Sequence, residues 1–205
     1  MSKLLFSVLF SVHLFSMNSS DALKELMEGN TRFKKNKTEC VEQNISKRLS
    51  LVGSQNPFAV IVACADSRVA PEIVFDQGIG DLFVVRVAGN VIGPLEMESI
   101  EYAVKHLGSS CVLVMGHQNC GAVNAAVTGQ TEDVRYIAQL IKPSVVKAQA
   151  SSPKNLLEAS IKINAETMCN FVKQSSIVSE AISQNKLTVY PAYYNFDTGS
   201  VNLIN

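Results

Sequence analysis

The sequence predicts an α/β fold: a mostly parallel central β-sheet flanked by helices, with a C-terminal hairpin or edge strand and an N-terminal helical arm. Three observations carry that expectation. Short, continuous, β-branched-rich apolar runs occur at 58–63, 82–87 and 111–115, as expected of strands buried on both faces of a parallel sheet. Apolar residues at helical spacing lie between and after them. Two extended segments flank a glycine-bearing turn at the end of the chain, which reads as a hairpin.

The elements follow in order. Ser20 and Asp21 suit the cap and first turn of a helix whose Leu23, Met27 and Phe33 fall near one face. Residues 34–50 are polar and read as a loop or irregular helix. Ile100, Ala103, Val104 and Leu107 form a stripe that Gly108 can stop, with His106 exposed in its last turn. Val134, Ile137, Ala138, Ile141 and Val145 form another, which Pro143 is expected to kink or divide. Leu157, Ile161, Ala165, Met168 and Val172 form a third. Residues 187–194 and 201–204 are the arms of the terminal hairpin, and no linker or repeat breaks the domain.

Composition narrows the function. The 205 residues are 47% hydrophobic, ample for one sizeable core, and carry 18 basic against 18 acidic side chains. A charge-neutral chain lacks the basic excess that phosphate neutralisation demands, so no nucleic-acid partner is expected. Five Cys is an odd number at modest density, which argues against a disulfide scaffold and leaves thiols for other chemistry. At the start, Lys3 precedes the apolar stretch 4–15 and a small polar exit at 17–20. This matches a secretory leader, residues 1–19, before a domain of residues 20–205. Export to a periplasm or the medium follows, without stable membrane insertion after processing; the alternative is an ordinary amphipathic helix of a cytoplasmic protein.

The chemistry lies just past two of the predicted buried strands. One is followed by Cys64-Ala-Asp66-Ser-Arg68 and the other by Gly116-His117-Gln-Asn-Cys120-Gly121. In open α/β sheets, ligands gather where loops converge at the carboxyl ends of strands. Cys64, His117 and Cys120 can therefore meet, and two thiolates with one imidazole suit Zn²⁺. Three protein ligands rather than four leave a position for water or substrate. Asp66 and Arg68 are spaced to pair, and a bidentate arginine would keep the carboxylate off the metal. Taken singly, each feature has a plainer reading: a strand-end Cys as a small buried hydrophobe, Asp66–Arg68 as a surface ion pair. Cys40, Cys111 and Cys169 lack partner motifs and read as structural.

Cys64-x-Asp66-x-Arg68 with His117-x-x-Cys120-Gly121 resembles the β-class carbonic anhydrases, leaning to the plant-like branch. The likeness continues through Gln55-Asn-Pro-Phe, residues 76–90, residues 99–108 and Tyr193-Tyr-Asn-Phe-Asp-Thr-Gly199, and so spans about residues 20–205. It implies one zinc per chain on Cys64, His117 and Cys120. It also implies an Asp66–Arg68 dyad in which Asp66 accepts a hydrogen bond from the attacking hydroxide, and reversible hydration of CO₂ to bicarbonate and a proton. Gln55 and the backbone N–H of Gly121 would bind bicarbonate, while Phe83 and Tyr102 would wall the CO₂ pocket or simply pack in the core. The inhibitory bicarbonate site of some bacterial relatives is in doubt, because Ile61 stands where that site has Trp and only Arg86 is recognisable. The family's homodimers, often paired into tetramers, form through an N-terminal helix, a part open to residues 22–33.

Three other readings stand beside this one. The same fold can host hydrolysis of a CO₂-like heteroallene such as carbon disulfide or carbonyl sulfide. A non-catalytic zinc-binding protein would need none of Asp66, Arg68 and Gln55. Thiol redox chemistry is disfavoured by the absence of Cys-x-x-Cys.

Overall fold

The computed structural model describes residues 17–39 and 43–205. The predicted leader therefore falls almost wholly outside the described residues, as does Cys40. Among the described residues five strands form one sheet in the order β2-β1-β3-β4-β5: β1 Ala59–Ala63, β2 Leu82–Arg86, β3 Cys111–His117, β4 Thr188–Tyr194 and β5 Val201–Leu203. The first four are parallel, and β5 returns antiparallel on β4. The predicted hairpin is thus present, with Asn195 to Ser200 as its turn.

Strand alternation divides the apolar side chains between two faces. Val60, Val62, Val112, Val114 and Val189 point to one layer. That layer is covered by α4 (Pro94–His106), α5 (Gly121–Thr128), α6 (Arg135–Ala150), α7 (Leu156–Lys173) and α8 (Ser176–Ser183). Ile61, Ala63, Leu113, Met115 and Ala192 point to the other, covered by α1 (Ser19–Lys34) and α3 (Pro71–Val74). A short α2 (Ile45–Ser50) precedes β1 in the stretch read as irregular. No described helix is long and apolar enough to cross a membrane.

Several expectations need correction. β2 is not buried on both faces; its pattern is half-buried because it is the sheet's edge. Helix α6 runs through Pro143 undivided. Pro143 lies on the exposed face, where water can satisfy the carbonyl that loses its partner. The cap of α1 is Asn18 rather than Ser20: its side chain accepts from the Asp21 N–H at 2.9 Å. Cleavage after residue 19 would remove that cap.

Helix α1 also packs on its own sheet, burying Ala22 and Leu26 against the second face. Buried Asn30 pins it there. Its amide donates to the carbonyls of Val74 (3.1 Å) and Gly199 (2.9 Å) and accepts from the Val201 N–H (2.9 Å). Gly29 is required at the crossing, since a Cβ would meet the Phe75 carbonyl oxygen at 1.8 Å.

Candidate metal centre

β1 and β3 are neighbours in parallel register, so their carboxyl ends open side by side. Cys64 directly follows β1, His117 is the last residue of β3, and Cys120 is the N-cap of α5. The return from His117 to Cys120 needs a sharp reversal, supplied by Asn119 at φ 54°, a left-handed conformation that asparagine tolerates. The sulfurs of Cys64 and Cys120 and a ring nitrogen of His117 lie within 4.8 Å of one another, all three residues buried. Ligand atoms bonded to one zinc at about 2.0–2.3 Å stand about 3.3–3.8 Å apart in a tetrahedron, so a small inward adjustment lets the three share an ion.

The donor chemistry fits as well. His117 Nδ1 lies 2.9 Å from the Gln118 carbonyl, which can only accept, so the proton sits on Nδ1. That leaves Nε2 as a lone pair, buried and without a hydrogen-bond partner among the described residues. An orphaned imidazole nitrogen between two thiols is costly unless it binds a cation. Cys64 is the readier of the thiols to ionise: the neighbouring Cys120 thiol favours its thiolate, and the N–H groups of Gly89 (3.1 Å) and Asp66 (3.4 Å) donate to it. Its neighbour and burial push Cys120 the other way. A divalent ion stabilises both as thiolates and displaces the shared proton. Cys111 and Cys169 sit elsewhere in the core with thiols raised by desolvation, Cys111 to about 12.

Asp66 and Arg68 stand at the rim. Arg68 engages both carboxylate oxygens, Nε to Oδ1 at 3.0 Å and Nη2 to Oδ2 at 2.8 Å, and its backbone N–H adds a 2.9 Å bond to Oδ1. This fork holds the Asp66 carboxyl well below the usual carboxylate range. Oδ2 still lies 3.8 Å from His117 Nε2. Gly121 is the first residue of α5, and a Cβ added there would meet nothing within 4 Å.

Gln55, Phe83 and Tyr102 are not brought to this site within one chain. Gln55 is exposed in the loop before β1, at the opposite end of the strands. Phe83 pairs with Val60, four residues short of Cys64, which is about 13 Å along the strand. Tyr102 lies on α4 with its ring 6.4 Å from Phe83, 48% exposed and so not core packing. The parallel register itself enforces this separation.

Other residues do reach the site. Arg86 donates to the carbonyls of Cys64 (3.1 Å) and Asp66 (2.7 Å), tying down the ligand loop. Ile61 is fully buried in the core. Phe196 lies under the Arg68 guanidinium and beside the His117 ring, at 4.5 and 5.3 Å. Gln118 holds that loop, accepting from the Phe196 N–H (2.8 Å) and donating to Asp197 (2.7 Å). The sequence signal for these contacts is position alone: Arg86 ends β2, Gln118 directly follows β3 and Phe196 lies two residues past β4.

Comparison with known proteins agrees with this geometry. The family model for carbonic anhydrase matches residues 59–201. Carbonic anhydrase 2 of Mycobacterium tuberculosis is 39% identical over 188 residues, covering 89% of this chain and 91% of that protein. The Mycolicibacterium smegmatis carbonic anhydrase is 35% identical over 91% and 93% of the two chains. The structure of the Coccomyxa β-carbonic anhydrase with acetazolamide superposes with a TM-score of 0.69 at 29% identity, covering 89% and 86%. With two sulfurs and one imidazole at the ends of adjacent parallel strands and relatives over nearly its whole length, the chain belongs to the β-class carbonic anhydrases.

Proposed function

We propose that this chain catalyses the reversible hydration of CO₂, with Cys64, His117 and Cys120 holding one zinc and Asp66 and Arg68 serving the reaction. The observation that carries the reading is the buried, unpartnered His117 Nε2 facing two thiols beside a carboxylate that Arg68 keeps occupied. Zinc, when bound, lowers the pKa of a water towards about 7 and so supplies the nucleophile. The protein's part is placement. Asp66 stays ionised and, 3.8 Å from the imidazole nitrogen, accepts a hydrogen bond that orients the attacking oxygen. Arg68 prevents the carboxylate from swinging inward, and Phe196 stacks against Arg68. Gly121 is the first residue of α5, and its N–H would receive the negative charge that develops on the bicarbonate oxygens.

The substrate pocket calls for a second copy of the chain. Among the described residues β2 is an edge strand with one side unpaired, and Gln55, Phe83 and Tyr102 beside it are exposed or half-buried. Supplied by another copy across that edge, they complete each site, so the working unit is at least a homodimer. Among neighbours in fold, two β-carbonic anhydrases of Sordaria macrospora are tetrameric; one matches with a TM-score of 0.70 at 21% identity. Stopped-flow CO₂ hydration with zinc measured on the same sample tests the activity, and parallel assays with carbon disulfide and carbonyl sulfide test the substrate. Zinc-loaded protein without hydration activity would refute the proposal.

A further inference from the structure

Asn164 sits in the interior of α7, fully buried, where asparagine is a poor helix former. Its Oδ1 has no hydrogen-bond partner among the described residues, which disfavours the folded state. Its other half makes one contact: Nδ2 donates to the Gly89 carbonyl at 2.9 Å, across 75 positions of sequence. The amide orientation is fixed, because a carbonyl can only accept.

Gly89 is no ordinary turn residue. It holds φ 72°, ψ 17°, and its N–H donates to the Cys64 sulfur at 3.1 Å. A glycine reaches either sign of φ at little cost, so its own sterics do not hold that N–H on the sulfur. Something outside the turn must. Ile141 and Ala122 crowd the Cβ position, and the Asn164 amide fixes the carbonyl side.

We propose that Asn164 is a positioning residue for the metal centre: by anchoring the Gly89 carbonyl, it keeps the Gly89 N–H on the Cys64 thiolate. This rests on the reading that Cys64, His117 and Cys120 hold a metal. A hydrogen bond to a ligating thiolate draws electron density off sulfur, so the relay Asn164–Gly89–Cys64 sets how strongly that ligand donates. The unpaired Oδ1 is then the local cost of a group retained for its N–H.

The test compares wild type with Asn164→Leu, similar in size but without a donor. After substitution with Co²⁺, the variant is expected to show its sulfur-to-cobalt band at lower energy. Zinc should pass from it to a competing chelator several-fold faster, with an unchanged far-UV circular dichroism spectrum. Identical bands and identical release rates would overturn the proposal. A direct readout needs no variant: cadmium-113-substituted wild type should show scalar coupling between the metal nucleus and the Gly89 amide proton, and its absence would equally overturn the relay. Wild type that takes up no metal would instead overturn the metal-centre reading on which the relay depends.

Discussion

The guanidinium of Arg68 lies 4.5 Å from the centre of the Phe196 ring while its N–H groups hold both oxygens of Asp66. Arg68 is about half exposed, so an ion pair alone would be a loose tether. The ring restricts it from one side. Phe196→Leu is therefore expected to retain zinc while lowering kcat about 2–5-fold, the equivalent of about 0.5–1 kcal/mol of cation–π stabilisation. Metal analysis with stopped-flow hydration on the same sample checks this. Unchanged kcat would remove Phe196 from the dyad's support.

Asp66→Asn and Arg68→Ala both leave the three metal-binding side chains intact. Each should bind zinc stoichiometrically yet lose about 100-fold or more in hydration, the scale of a lost acid–base or orienting group. Full activity in either variant would exclude the dyad from the mechanism.

Cys64→Ser and His117→Ala remove ligands. Both should emerge from purification with little zinc and negligible activity. Chelation of the wild type should abolish hydration, and added Zn²⁺ but not Mg²⁺ should restore it, because the site is built of sulfur and imidazole.

The pH dependence separates the groups. The folded-state pKa of Asp66 is depressed. Its contribution is therefore present above the unfolded value of about 3.9 and fades only as pH falls through the folded value. Asp66 thus stays ionised at neutral pH and is not the source of a limb there. Two thiolate ligands offset the charge of the ion, so the water it activates should titrate above the value of about 7 seen at three-imidazole sites. Activity should rise from about pH 6 to pH 8, and the rising limb should survive, at reduced height, in Asp66→Asn. A wild-type profile flat down to pH 6 would contradict this.

Mixing two inactive variants tests shared sites. In the proposed arrangement, Gln55→Ala and Asp66→Asn would damage different halves of a site shared between two copies. Co-refolded, they should regain part of the wild-type activity through mixed dimers that hold one intact site. No recovery in a mixture shown to form dimers would place each site within one chain.

Asn30→Ala addresses the fold. It leaves the Val74 and Gly199 carbonyls and the Val201 N–H without their partner. A loss of about 2–4 kcal/mol is expected, read as a drop of several degrees in Tm on a thermal scan. An unchanged Tm would mean that water replaces the amide at no cost.

The sequence by itself determined what depends on nearest neighbours and on the alternation of polar and apolar residues. The apolar runs at 58–63 and 111–115 became buried parallel strands, and the stripes from Ile100 and Leu157 became helices. Cys64-x-Asp66-x-Arg68 and His117-x-x-Cys120 carried their ligand chemistry in their spacing. Tertiary structure decided whatever hangs on register and on distant contacts. Parallel pairing of Val60 with Phe83 keeps Phe83, and Tyr102 beside it, away from Cys64, and Gln55 precedes β1, although the resemblance implies one pocket for them. Edge position, not composition, exposes β2. Phe196, Gly89 and Asn164 reach the metal-binding residues only because chain segments far apart in sequence close on one another. No local pattern encodes such a meeting, since its free energy comes from packing made after the chain has folded.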